Sequence, residues 1–265
     1  MPEKKRFRKP DAVKQGRGAA EEEMNLSGKK VLITGGAVRV GAQFCRSFAE
    51  RGARVVIHCL HSCGEAEALC AELGGGEAGH SVYVCDLTDL SAARAMIRSE
   101  VPDVLVNSAA MYLRRSLPEE TETEAETQFA VNFRAPVEMI RELALCGAGK
   151  EEISVVNVVD QGIVKTDPAS FSYSLSKKLL CEATRSAALA YAPRMRVNAL
   201  APGAVIAPKG LEHLGMKKTL SVLPLGRPVS LRDLGDAAVF LASNSSMTGE
   251  TLFVDCGQQL MPWPG

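Results

Sequence analysis

From Lys30 onward the chain alternates short β-branched apolar runs with longer segments of helical period, and Gly or Pro stands between them. Strands are predicted at Lys30 to Thr34, Arg54 to His58, Ser81 to Cys85, Asp103 to Asn107, Ile153 to Val158, Arg196 to Leu200 and Thr251 to Asp255, with helices filling the intervals. Nearly continuous apolar strands joined by helices imply an α/β fold, a doubly wound parallel sheet covered on both faces and joined by right-handed crossovers. No repeat or linker divides the pattern, so residues 26–265 are expected to form a single domain. Ahead of it, residues 1–18 carry seven basic side chains against two acidic ones, and Glu21, Glu22 and Glu23 follow. Residues 1–25 therefore read as a charged N-terminal extension, a solvated tail or an arm toward a neighbouring surface.

The 265 residues are 46% hydrophobic and 23% charged, with a formal net charge of +0, which is a globular composition and removes nucleic acid as an expected partner. No apolar run approaches the roughly 18 to 20 residues of a membrane span, and the N-terminal region is charged, so no membrane partner and a cytoplasmic location are expected. Eight scattered cysteines without a CxxC pair read as reduced thiols, mostly buried.

The candidate chemistry begins after the first strand, where Thr34-Gly35-Gly36-Ala37-Val38-Arg39-Val40-Gly41 opens a helix. A glycine-rich turn between strand and helix is the phosphate cradle of Rossmann folds, because backbone N–H groups and the helix dipole face a pyrophosphate there. Taken alone, such a turn serves equally as a tight structural turn. Folds that take NAD usually end the second strand on a carboxylate, but here that strand runs Val55 to Ser62 without one. His61, Ser62 and Arg39 can hydrogen-bond a 2′-phosphate instead, so NADP(H) is the expected cofactor. The nearby His58, Cys59, His61 and Cys63 lack metal-ligand spacing, and no metal is expected.

Tyr173 and Lys177 stand one turn apart in a predicted helix from Ser172 to Ala192, where an ammonium would lower the phenol's pKa and make it a proton donor near neutral pH. This pair occurs in one order and spacing with the 34–41 turn, Cys85-Asp86-Leu87, Leu105 to Ala110, Asn132, Pro202-Gly203 and Val254 to Gly257. Together they resemble the short-chain dehydrogenase/reductase family from about Leu26 to Gly257. The resemblance implies cofactor contacts from Gly35, Arg39, Val40, His61, Ser62, Asp86, Leu87, Asn107, Lys177, Pro202 and Gly203. It also implies that Lys177 holds the nicotinamide ribose, that Asn132 supports a proton-relay water, and that the protein is a homotetramer.

Two departures refine this reading. Arg39 replaces the family's usual middle glycine, and Asp160 stands thirteen residues before Tyr173, where the usual member has a catalytic Ser. An ionised Asp repels the alkoxide of ordinary carbonyl reduction, whereas an Asp bonded to a Tyr can pass protons to a C=N bond of a nitrogen heterocycle. The arginine turn and Asp160 resemble the pteridine reductase subgroup. That resemblance implies Arg39, Tyr112, Asp160 and Tyr173 around the substrate, with Tyr112 as the stacking ring. Ala110 falls where that subgroup often has a polar residue. Ala204 to Leu225, with Pro208, Gly210 and Gly215, is the expected substrate cover. The expected activity is NADPH-dependent reduction of a pteridine or dihydrofolate-like heterocycle. A carbonyl or imine reductase acting on another small substrate, or a non-catalytic NADP(H)-binding regulator, are the alternatives.

Overall fold

The computed structural model describes residues 24–206, 220–221 and 223–261. Seven strands form one sheet, β1 (Lys30–Ile33), β2 (Arg54–Cys59), β3 (Ser81–Val84), β4 (Val104–Asn107), β5 (Ile153–Val158), β6 (Met195–Pro202) and β7 (Thr251–Val254). Their order is β3-β2-β1-β4-β5-β6-β7 and every pairing is parallel. The expected strands are thus all present, with ends shifted by a residue or two. β6 gains most, because its pairing with β7 continues as far as Pro202 opposite Val254.

Helices cover both faces, α1 (Arg39–Ala49), α2 (Cys63–Glu72), α3 (Leu90–Glu100), α4 (Glu122–Phe129), α5 (Ala135–Cys146), α6 (Phe171–Tyr191) and α7 (Leu231–Ser243). On one face Phe44 and Phe48 of α1 and Leu234, Ala238 and Leu241 of α7 pack on Ile33, Val55 and Ile57. Gly235 lets α7 approach, since a methyl group there would collide with Ser47 Oγ of α1. On the other face Met96 and Ile97 of α3 and Met139 and Leu143 of α5 pack on Leu32, Leu105 and Val155. Each such large apolar side chain contributes about 1.5–3 kcal/mol by leaving water.

Sheet order reverses at β1, which pairs with β2 on one side and β4 on the other. Ligands of doubly wound folds bind outside the carboxyl ends of the strands at this switch point. A single turn of π-helix, Ala130–Arg134, joins α4 to α5 there.

Three of the eight cysteines are buried and the other five only partly so, which corrects the expectation that most are buried; all eight are free thiols. No helix among the described residues is long and apolar enough to cross a membrane. Most of the expected charged extension, and positions 207–219 and 222 of the expected substrate cover, including Pro208, Gly210 and Gly215, lie outside the described residues.

Candidate active site

The turn after β1 is tied to the end of β4 through Thr34, whose buried hydroxyl accepts the N–H groups of Ser108 and Ala109, each at 3.0 Å. Backbones come so close that a Cβ on Gly35 would lie 2.9 Å from Ala109 Cα, and one on Gly41 would collide with the Gly35 carbonyl oxygen. α1 then starts from Val38 with no side-chain cap and no acidic residue in its first turn, so no carboxylate of its own first turn competes for the helix N-terminus. Such a cradle suits a pyrophosphate in charge and in shape.

His58 of β2 braces this cradle from beneath. Its Nδ1 accepts the Gly35 N–H at 3.1 Å, which leaves Nε2 to donate to the Cys85 carbonyl at 3.1 Å. Burial lowers its pKa to about 4, so the ring is neutral and its tautomer is set by these two partners. Arg39 has φ 55°, in the left-handed region that costs a non-glycine residue about 1–2 kcal/mol. That backbone requirement explains why glycine is usual here. Its guanidinium Nη2 donates to the Ile206 carbonyl at 3.5 Å, so the side chain spans from the turn to the segment after β6.

Val40 is half-buried in the first turn of α1. Beyond β2, His61 is exposed and Ser62 occupies the N-cap position of α2 without capping it. Asp86 accepts the Thr88 N–H at 2.8 Å as a turn residue, and Leu87 beside it is buried. Asn107 at the end of β4 donates to Asn157 Oδ1 at 2.8 Å, and Asn157 donates to Thr184 Oγ1 at 2.9 Å. Among the described residues the buried Asn107 Oδ1 has no donor. Gly203 follows Pro202 at the end of β6, where a Cβ would lie 2.6 Å from Asp255 Cα.

Asp160 lies two residues beyond the end of β5, in extended backbone, and caps the 3-10 turn Gln161–Val164, accepting the Gly162 N–H at 2.6 Å. Its Oδ2 accepts the Tyr173 hydroxyl at 3.3 Å. Tyr173 is in the first turn of α6, and Lys177 one turn later donates from Nζ to the Val158 carbonyl at 2.8 Å. The expected depression of the phenol's pKa does not occur. Burial first, then the Asp160 carboxylate, raise the Tyr173 pKa well above 10, while the Lys177 ammonium is held by Val158 and lies 6.0 Å from the ring centroid. Burial also raises the Asp160 pKa and lowers that of Lys177 to about 8.

Tyr112 stands edge-on to Tyr173, with ring centroids 4.7 Å apart at 84°. It is 38% exposed, and its hydroxyl lies 3.4 Å from Ser170 Oγ. Asn132, in the π turn and fully buried, accepts the Met111 N–H and donates to the Met111 carbonyl, both at 2.8 Å, and donates to Ser176 Oγ at 3.2 Å. Asp160, Tyr173, Lys177, Asn132 and Tyr112 therefore share one end of the sheet. Among the described residues no group of three or more His, Cys, Asp or Glu is placed to hold a metal ion.

A family model described as enoyl-(acyl carrier protein) reductase matches residues 36–259. The chain is a short-chain dehydrogenase/reductase. It is 32% identical to glucose 1-dehydrogenase of Gluconobacter oxydans over 255 residues, covering 89% of this chain and 93% of that protein. Among solved structures, this short-chain dehydrogenase/reductase is similar to FolM alternative dihydrofolate reductase 1 from Brucella canis complexed with NADP. That likeness has a TM-score of 0.84 at 31% identity and covers 91% of this chain and 97% of the other. The Brucella suis FolM complex with NADP is similar at 32% identity and TM-score 0.80, covering 89% and 97%.

Two residues of this short-chain dehydrogenase/reductase site were not anticipated. His58 reads in sequence only as a poor metal ligand, although a histidine inside an otherwise apolar strand is a usable signal. Gln128 gives no signal at all, because a lone glutamine in the stretch Glu122 to Phe129 does not show which way it faces.

Proposed function

We propose that this protein is an NADPH-dependent reductase of a C=N bond in a pteridine or dihydrofolate-like heterocycle. The observation that carries this reading is the contact between Asp160 Oδ2 and the Tyr173 hydroxyl, with the Tyr112 ring edge-on beside it. The likeness to the two FolM dihydrofolate reductases supports it.

The bound cofactor supplies the hydride. The Gly35 to Gly41 cradle would hold its pyrophosphate, His61, Ser62 and Arg39 its 2′-phosphate, and Asp86, Leu87 and Asn107 its adenine side and the edge of its nicotinamide. Pro202, Gly203 and Lys177 would hold its nicotinamide half. Tyr173, whose pKa is high, keeps its proton until the ring nitrogen draws on it. Loss of that proton beside an ionised Asp160 would place two anions together, so the phenolate takes a proton back from water through the Asp160 contact. An alkoxide formed at the same point would face that carboxyl rather than a hydroxyl donor, which disfavours ketones. Tyr112 and Arg39 would flank the heterocycle, and Asn132 clamps the Met111 backbone beside it.

The likeness to glucose 1-dehydrogenase favours a second reading, a carbonyl reductase in which Asp160 is tolerated. NADPH oxidation by the wild type and by Asp160→Ser, with dihydropterins, dihydrofolate and simple ketones, separates the two. The C=N reading expects pterin turnover that collapses in the variant. Ketone turnover that survives in the variant, with pterins inert, overturns it. Homotetramer assembly, to which the exposed Leu175, Leu179 and Leu189 of α6 are suited, is checked by sedimentation equilibrium.

A further inference from the structure

Tyr112 sits on an irregular segment between β4 and α4, yet the backbone on both sides of it is held by side chains. Asn132 holds Met111, and the fully buried Gln128, one turn earlier, accepts the Leu113 N–H with Oε1 at 3.0 Å. The other end of the Gln128 amide donates to Glu120 Oε1 at 2.6 Å, and Glu120 Oε2 accepts the Ser172 hydroxyl at 2.5 Å. Ser172 immediately precedes Tyr173. One continuous hydrogen-bonded path therefore joins the backbone of the Tyr112 segment to the first turn of α6, and the two rings at its ends meet edge to face at 4.7 Å.

We propose that Gln128, through Glu120, is a positioning residue that sets the Tyr112 ring against Tyr173 and so selects a flat heterocyclic substrate. The proposal rests on the heterocycle reading above. Gln128 touches neither substrate nor cofactor; it acts by fixing the Leu113 amide. Its amide is suited to this because a single group must accept on one side and donate on the other, and no apolar residue or ammonium does both. Without it the Leu113 N–H and a Glu120 oxygen lose their partners inside the protein, and the segment carrying Tyr112 is freed to rotate its ring away from the edge-on position.

The test uses the full chain with three changes, Gln128→Leu, Glu120→Gln alone, and the double exchange Gln128→Glu with Glu120→Gln. The double exchange reverses which group carries the charge but permits the same hydrogen bonds to Leu113 and Ser172. For Gln128→Leu we expect the dihydropterin KM to rise about tenfold as both hydrogen bonds of the amide are lost and the Leu113 backbone is released, while kcat and the NADPH KM stay near wild type. Amide hydrogen exchange at Leu113 should quicken in Gln128→Leu, and the double exchange should restore both the dihydropterin KM and the protection. Unchanged exchange at Leu113 overturns the proposal. So does a parallel fall in kcat and rise in both KM values without rescue, which marks a merely structural residue. If the wild type turns over only ketones, the heterocycle reading fails by itself. Positioning by Gln128 is then judged on the Leu113 exchange and on the ketone KM, and an unmoved value of either overturns it.

Discussion

The brace under the phosphate turn can be tested without any ligand, through acid titration of His58. In the fold the ring is neutral, with a pKa lowered to about 4 from 6.5, because burial outweighs the Cys85 carbonyl and the Asp86 charge, which act the other way; its Nδ1 accepts the Gly35 N–H. The folded pKa lies below the unfolded one, so the contribution of His58 to stability is complete above pH 6.5 and is lost as the pH falls toward 4. The interval from 6.5 to about 4 corresponds to about 3 kcal/mol. His58→Asn retains an acceptor near Gly35 but gives up the Cys85 bond and part of the buried ring, for a loss of about 2–3 kcal/mol at pH 7. Urea unfolding of both proteins at fixed concentration, from pH 7 to pH 4, should show the wild type losing its advantage until the two curves meet near pH 4. A difference that stays constant across that range would refute the assignment of a neutral, doubly bonded histidine.

Arg39→Gly should raise stability by about 1 kcal/mol, by removing a left-handed non-glycine residue, while weakening substrate and 2′-phosphate binding; thermal unfolding and the two KM values report each side. Gly41→Ala forces a methyl group into the Gly35 carbonyl and should weaken NADPH binding by roughly 30-fold, or about 2 kcal/mol, measured by nucleotide fluorescence. Lys177 has a folded pKa of about 8 against 10.5, so the cost of burying its charge is full below pH 8 and is relieved as the pH rises toward 10.5. The stability of the cofactor-free protein should therefore gain up to about 3 kcal/mol from this residue over that range, a rise that Lys177→Met lacks in the same unfolding experiment.

The strands were legible in the sequence because a buried parallel strand must be apolar on both faces, and runs such as Val55-Val56-Ile57 satisfy that requirement and no amphipathic helix. Asp160 and Tyr173 were legible as a pair only through family spacing; their contact arises because β5 ends where α6 begins to pass over it. The direction of the Tyr173 pKa was not legible. Helical spacing places Lys177 on the same face as the phenol, but it does not reveal that Val158 offers the ammonium a carbonyl while Asp160 approaches the phenol more closely. Gln128 was hidden for a related reason. Nothing in a short acidic helix distinguishes a glutamine facing water from one facing the Leu113 backbone, since that choice is made by the path of a segment fifteen residues earlier.

The π turn at Ala130–Arg134 carries a consequence for how this site changes by insertion and deletion rather than by substitution. A π turn amounts to one residue added to an α-helix, and each residue of an α-helix turns the chain by about 100°. Deleting one residue there would leave an unbroken helix from α4 into α5, with the α5 core face intact and α4 rotated by about that angle. Gln128 would then turn away from Leu113 while Met139 and Leu143 stayed in the core. A single codon thus separates the face that supports the sheet from the face that holds the Leu113 backbone.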